Sequence, residues 1–185
     1  MSNKPLKTLF IFNGIFVFAG SLLGPLYALY VGTVDKNILS VSITWASFFV
    51  ASFIFTIIVS KVGDKIKEKR YLLMAGFLVR AVAWFMFIFA GNVFHFVLLQ
   101  TLLGLGEALG TPTFDAIFAE HLDRGKHIRE YADWKLIVNG TTAVGTIIGG
   151  LVVTTLGFSW LFAAMSGFAV VSFLGVLVQP RKLLW

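Results

Sequence analysis

Residues 136–180 read LIVNGTTAVGTIIGGLVVTTLGFSWLFAAMSGFAVVSFLGVLVQP, 45 positions without a single Asp, Glu, Lys or Arg. A helix crossing a bilayer needs about 20 apolar residues. The stretch is therefore too long for one crossing. It divides at Leu156-Gly157-Phe158-Ser159 into spans of about 136–156 and 160–178. Working back toward the N-terminus, four further runs have the same character, at 94–119, 71–90, 40–60 and 9–31. Composition agrees. Hydrophobic residues make up 58% of the 185 and charged ones 13%, against about 45–50% and about 25% in soluble domains. The mean hydropathy is +0.88. The reading is an all-α integral membrane protein, one six-helix domain over 1–185. Continuous apolar runs exclude a transmembrane barrel, whose strands alternate over about ten residues.

Orientation follows from the basic residues. Thirteen of the 15 fall before the first span, between the second and third, between the fourth and fifth, or after the sixth. Lys36 alone falls in an opposite loop, and Arg80 lies inside the third span. The positive-inside rule then puts both termini in the cytoplasm, and the expected location is a prokaryotic cytoplasmic (inner) membrane. The same distribution explains the net charge of +6 without nucleic acid, because no basic patch interleaved with aromatics occurs. Lys4 and Lys7 precede a first apolar run too long for a signal h-region of about 7–15 residues, so that run is expected to stay as a span. With no cysteine, disulfides and thiolate metal sites are excluded. His121, Asp123 and His127 lack a usual metal-ligand spacing. No nucleophile–base pair, phosphate loop or dinucleotide fingerprint appears, so neither an enzyme nor a cofactor is expected.

Charges within the membrane cost several kcal/mol and normally face protein or a watery cavity. In the fourth span Gln100, Gly104, Glu107, Thr111 and Asp115 fall on one helical stripe. The fifth carries Lys135, Asn139, Thr142, Thr146 and Gly149 in the same way, and the first Asn13, Gly20, Gly24 and Tyr27. Polar faces on three helices suggest a hydrated solute or ion pathway; helix–helix hydrogen bonding is the alternative. At 1.5 Å per residue, Arg80 lies roughly 14 Å from the cytoplasmic side, Glu107 roughly 18 Å and Asp115 roughly 6 Å. Either acid is within reach of Arg80, with Glu107 nearer in depth. Such a pair is either structural or part of a proton or substrate path. Glycines spaced at i, i+4 (Gly20/Gly24, Gly106/Gly110, Gly145/Gly149) allow close helix packing.

The stretch between spans two and three, Ser60-Lys61-Val62-Gly63-Asp64-Lys65-Ile66-Lys67-Glu68-Lys69-Arg70, resembles the loop signature G-x-x-x-D-[RK]-x-G-[RK]-[RK] of the major facilitator superfamily. Asp64, Lys65, Lys69 and Arg70 match, while Ser60 and Lys67 stand at the two glycines. The fourth span resembles that family's R-x-x-x-G-x-G helix, with Gln100 in place of the arginine. Gly104, Gly106 and Pro112 are kept, and Ala119-Glu120 resembles the pair closing that helix. Gly145, Gly149 and Gly150 resemble the glycines of G-P-x-x-G-G in the fifth helix, without its proline. Trp160 and Phe162 resemble the start of the sixth.

The resemblance implies the N-terminal six-helix half of such a transporter, moving a small solute by alternating access, with a proton or another ion as possible coupling species. It also implies a gating loop in which Asp64 accepts hydrogen bonds from a helix N-terminus or basic groups and Lys65 reaches Glu120. The family's substrate sits between two parallel six-helix halves. A second copy in a C₂ homodimer, or a separate partner half, is therefore expected in the lipid bilayer. Two other readings stay open: a non-transporting scaffold or assembly protein of the same fold, and a truncated half of a longer transporter.

Overall fold

The computed structural model describes residues 3–180, and among these every regular element is helical. Asn3 caps α1 (Lys4–Ser21) by accepting from the Leu6 amide. The chain then breaks before α2 (Leu26–Gly32). Pro25 brings no N–H and Gly24 takes φ +21°, so the helix cannot run through, and α2 leaves at 44° to α1. The expected first span, 9–31, thus falls on two helical pieces with a bend between them. Asn37 caps α3 (Ile38–Val62), and a single 3₁₀ turn at Gly63–Lys65 follows. Next come α4 (Arg70–Phe87), α5 (Val93–Glu120, capped by Asn92), α6 (His127–Leu156) and α7 (Phe158–Val178). Gly157, at φ +89°, makes the turn between α6 and α7.

Five of these helices are long and apolar enough to cross a membrane, and α1 with α2, taken together as one bent span, would make a sixth. Two helix starts differ from the sequence expectation by five residues or more. α1 starts five residues before the apolar run at Leu9, and α6 starts nine before Leu136. In both cases the helix continues past the apolar run into polar residues.

At one end of the bundle, Asn3 Nδ2 donates to the His121 carbonyl (2.7 Å) and Arg70 Nη1 to the Gln179 carbonyl (3.1 Å). The starts of α1 and α4 therefore meet the ends of α5 and α7. At the other end the Tyr30 hydroxyl donates to the Phe87 carbonyl (2.5 Å), and its ring packs on Phe96, Phe158 and Phe162. Between them, Phe16 stacks on Trp84 and meets Phe77, while Phe10, Phe114 and Phe118 gather around Trp134. Each aromatic pair is worth about 0.5–1.5 kcal/mol beyond its area. Such packing carries weight in lipid, where helices gain nothing from leaving water.

Glycines set the crossings. A Cβ on Gly76 would stand 2.7 Å from the Gly110 Cα, and one on Gly104 would stand 2.6 Å from the Phe48 carbonyl oxygen. Gly145 and Gly149 lie against Ser21 and Leu22, holding α6 to α1, and Gly175 lies against Phe12. α4 sits deepest, with 56% of its apolar window buried. α3 and α6 are peripheral, with 11% each.

Candidate functional site

Arg80 is a buried charge within the helical interior, 9% exposed. Its Nη2 lies 2.7 Å from Glu107 Oε2 and also donates to the Gly106 carbonyl (3.0 Å) and to Thr111 Oγ1 (3.4 Å). The guanidinium lies over the Phe16 ring, 4.8 Å from its centroid. Close approach of α4 and α5 makes this possible. Gly106 and Gly110 leave room on α5, and the Arg80 side chain fills it. Of the two acids expected within reach, Glu107 is the partner, and Asp115 makes no ion pair among the described residues.

Two cavities share Arg80, Glu107, Phe16 and Val17. One, of about 370 Å³, runs toward the polar end and is lined by Asn13, Thr111, Asp115, Trp134 and Lys135. The other, of about 250 Å³, runs toward α2, with Tyr27, Trp45, Phe48, Trp84 and Gln100 in its walls. Tyr27 and Gln100 are each 3% exposed. The Arg80–Glu107 pair thus separates two spaces along one axis.

The structure therefore brings Arg80, Glu107, Gln100, Thr111, Asp115 and Asn13 to the walls of these two cavities. Asn139 and Thr142 line neither cavity. α6 is tied to α1 through Gly145 and Gly149, and that contact leaves Asn139 and Thr142 exposed.

The expectation for the loop between α3 and α4 changes in two respects. Lys69, and not Lys65, pairs with Glu120. Lys69 immediately precedes α4, and α4 packs along α5, so it stands beside the last residue of that helix. Lys65 closes the 3₁₀ turn and is exposed. Asp64, also exposed, accepts no hydrogen bond among the described residues; it lines a shallow pocket with Lys69 and Pro112. Arg70 is 4% exposed, with its Nε 3.4 Å from Glu68. In the loop before α6, the Asp123 carboxylate is held below the usual range by Lys126 and then by the Asn3 side chain.

The glycine expectations divide similarly. Gly104, Gly106, Gly145 and Gly149 lie in tight contacts, whereas Gly110 and Gly20 would have only ordinary contact, with Arg80 and Trp84, and Gly24 serves the bend. A side chain at Gly150 would meet nothing within 4 Å. The helix face carrying Gly145 and Gly149 does not include its next residue. Pro112 stands within α5; its missing N–H breaks one helical bond.

Sequence reading missed the aromatic wall of Phe16, Trp45, Phe48 and Trp84, because an aromatic facing a cavity and one facing lipid look alike in sequence. One signal was present. Phe77, Arg80 and Trp84 are spaced i, i+3, i+7, so they share a face with the only charge inside that span.

Comparison with known proteins agrees with this architecture. The profile of the Major Facilitator Superfamily matches residues 9–184. The staphyloferrin B transporter of Staphylococcus aureus is 28% identical over 172 residues, covering 89% of this chain and 39% of the relative. The multi-drug resistance efflux pump PmrA of Streptococcus pneumoniae serotype 4 is 27% identical over 182 residues, covering 97% and 45%. The chain spans less than half the length of these curated relatives.

Proposed function

The chain belongs to the major facilitator superfamily, and on that premise we propose that it moves a small solute across the membrane by alternating access, as one six-helix half working with a second. The observation that carries this reading is the meeting of two cavities at one ion pair. The space toward α2 and the space toward Lys135 share Arg80 and Glu107, so rearrangement of that pair would pass a solute from one to the other. A charge in this position is expensive and is retained where it serves a path. Gln100 and Tyr27 would offer neutral hydrogen bonds on one side, Asn13 and Thr111 on the other. The pair also offers a coupling point, because a proton taken by Glu107 would loosen its hold on Arg80.

The second half would cover α3 and α6, whose surfaces are the least buried among the membrane helices. A second copy arranged about a twofold axis along the membrane normal fits that geometry. The expected setting is the bacterial inner membrane, with both termini inside; the gathering of the α1 start and the α7 end at one face of the bundle supports their lying on the same side.

Because the chain has no cysteine, single cysteines test the mechanism directly. In proteoliposomes, Gln100→Cys should react from the α2 side and Asp115→Cys from the opposite side. Conditions that drive flux should shift the two reactivities in opposite directions. Reactivities that never change, together with no flux of any solute, would leave a fold-retaining scaffold as the better reading.

A further inference from the structure

We propose that the cavity on the α2 side of Arg80 receives a small solute bearing a carboxylate on an apolar, aromatic-sized body. The carboxylate would sit on the Arg80 guanidinium and the Tyr27 hydroxyl. This rests on the transport reading above and adds the class of solute.

Three observations lead there. First, the site's polar atoms without a partner can all donate. Arg80, 9% exposed, makes its hydrogen bonds through Nη2 alone; its Nε is buried against Gly106, and its Nη1 keeps its donors free. Tyr27, 3% exposed, lines the same cavity, and its buried hydroxyl lies beside the Thr44 and Gln100 side chains without a close hydrogen bond to either. Leaving such groups unsatisfied in an apolar interior is costly, and a carboxylate supplies the missing acceptors in the geometry a guanidinium prefers.

Second, the aromatic wall already has its cation. An aromatic cage next to an acid would ordinarily suggest a cationic ligand. Here the guanidinium itself occupies the Phe16 face at 4.8 Å. The acid is also better supplied than the base: the Glu107 side chain is 33% exposed against 11% for Arg80. The group with less access to water is Arg80.

Third, the remaining wall is apolar. Trp45, Phe48 and Trp84 flank about 250 Å³, just below the roughly 300–1,000 Å³ of pockets holding drug-sized ligands. The solute's carboxylate would replace that of Glu107 on the guanidinium, and Glu107 would turn to the water it already meets. Glu107 is thus the resident competitor of the solute, and removing its charge should tighten binding.

The test is equilibrium binding to the purified full chain in detergent at neutral pH, by calorimetry, with three probes of one shape: 2-naphthoate, 2-naphthamide and 2-naphthylmethylammonium. Naphthoate should bind at least tenfold more tightly than the other two. Arg80→Gln should weaken it at least tenfold, Tyr27→Phe several-fold, and Glu107→Gln should strengthen it several-fold. Preference for the ammonium, or unchanged naphthoate affinity in a folded Arg80→Gln protein, overturns the proposal. If Arg80→Gln does not fold, Tyr27→Phe and Glu107→Gln decide, and unchanged affinity in both overturns it. Flux in proteoliposomes separates this from the transport reading. Naphthoate binding without any flux counts against transport alone, and flux restricted to cationic solutes counts against the carboxylate alone.

Discussion

Arg80 on α4 and Glu107 on α5 are 2.7 Å apart, with the base almost wholly enclosed and the acid a third open. The asymmetry determines what each substitution strands. Glu107→Leu leaves a buried cation with no counter-charge, whereas Arg80→Leu leaves an acid that still reaches water. Breaking a buried pair costs about 3–5 kcal/mol. Glu107→Leu should approach that range and Arg80→Leu should fall below it. The double substitution should recover part of the loss. Thermal unfolding of the four proteins in one detergent checks the order, and equal losses in the two single variants would contradict it.

The glycine contacts give a sharper contrast within one residue type. Gly104→Ala places a methyl group 2.6 Å from the Phe48 carbonyl oxygen and 2.7 Å from the Ala51 Cβ. Both are parts of α3 that cannot simply rotate away. Overpacking of this kind costs about 1–3 kcal/mol. Gly150→Ala meets nothing, and its effect should be neutral or slightly stabilising, within the ~1 kcal/mol by which alanine outranks glycine in helices. Melting temperatures of the two variants should move apart, with Gly104→Ala falling.

The sequence made the spans legible because lipid demands long uncharged runs, and nothing else at 136–180 explains 45 residues without charge. It also placed Arg80 and Glu107 at similar depth, since helical rise converts position into height. What it could not resolve was rotation about each helix axis. Asn139 and Thr142 share a stripe with Lys135, which does line a cavity. The contacts of Gly145 and Gly149 with α1 nevertheless turn the two polar residues out. Lys65 and Lys69 posed the same problem in a loop. Which lysine reaches Glu120 depends on the 3₁₀ turn at Gly63–Lys65, and no periodicity announced it.

At the polar end, Asn3 ties the start of α1 to Asp123 (3.1 Å) and to the His121 carbonyl. The Asp123 carboxylate is held low by Lys126 first and Asn3 second. A carboxylate with a depressed folded-state pKa contributes stability above its unfolded value and loses it as pH falls through the folded value. The tether should therefore be intact at neutral pH and loosen in acid, below the ordinary aspartate range. Amide exchange at Leu6 and Lys7 should rise over that interval. Asp123→Asn should flatten this response, and an unaltered acid response would locate the titration in another group, Glu130 being the nearest acid.

Asn139 and Thr142 yield the last expectation. Both are exposed on α6, within a run that otherwise reads as membrane. Facing lipid, an asparagine amide would lack partners, and unsatisfied polar groups are costly there. Ile147, 68% exposed on the same helix, carries no such cost. Asn139 and Thr142 should therefore face a water-filled space shared with a second half, and Ile147 should face acyl chains. Asn139 lies only four residues beyond Lys135, about one helical turn from the basic end. A membrane-impermeant maleimide should thus label Asn139→Cys and Thr142→Cys in inverted vesicles, only weakly in right-side-out ones, and Ile147→Cys in neither. Labelling of Asn139→Cys from the outside would reverse the topology. Equal labelling of all three would mean that this part of α6 does not lie within the bilayer.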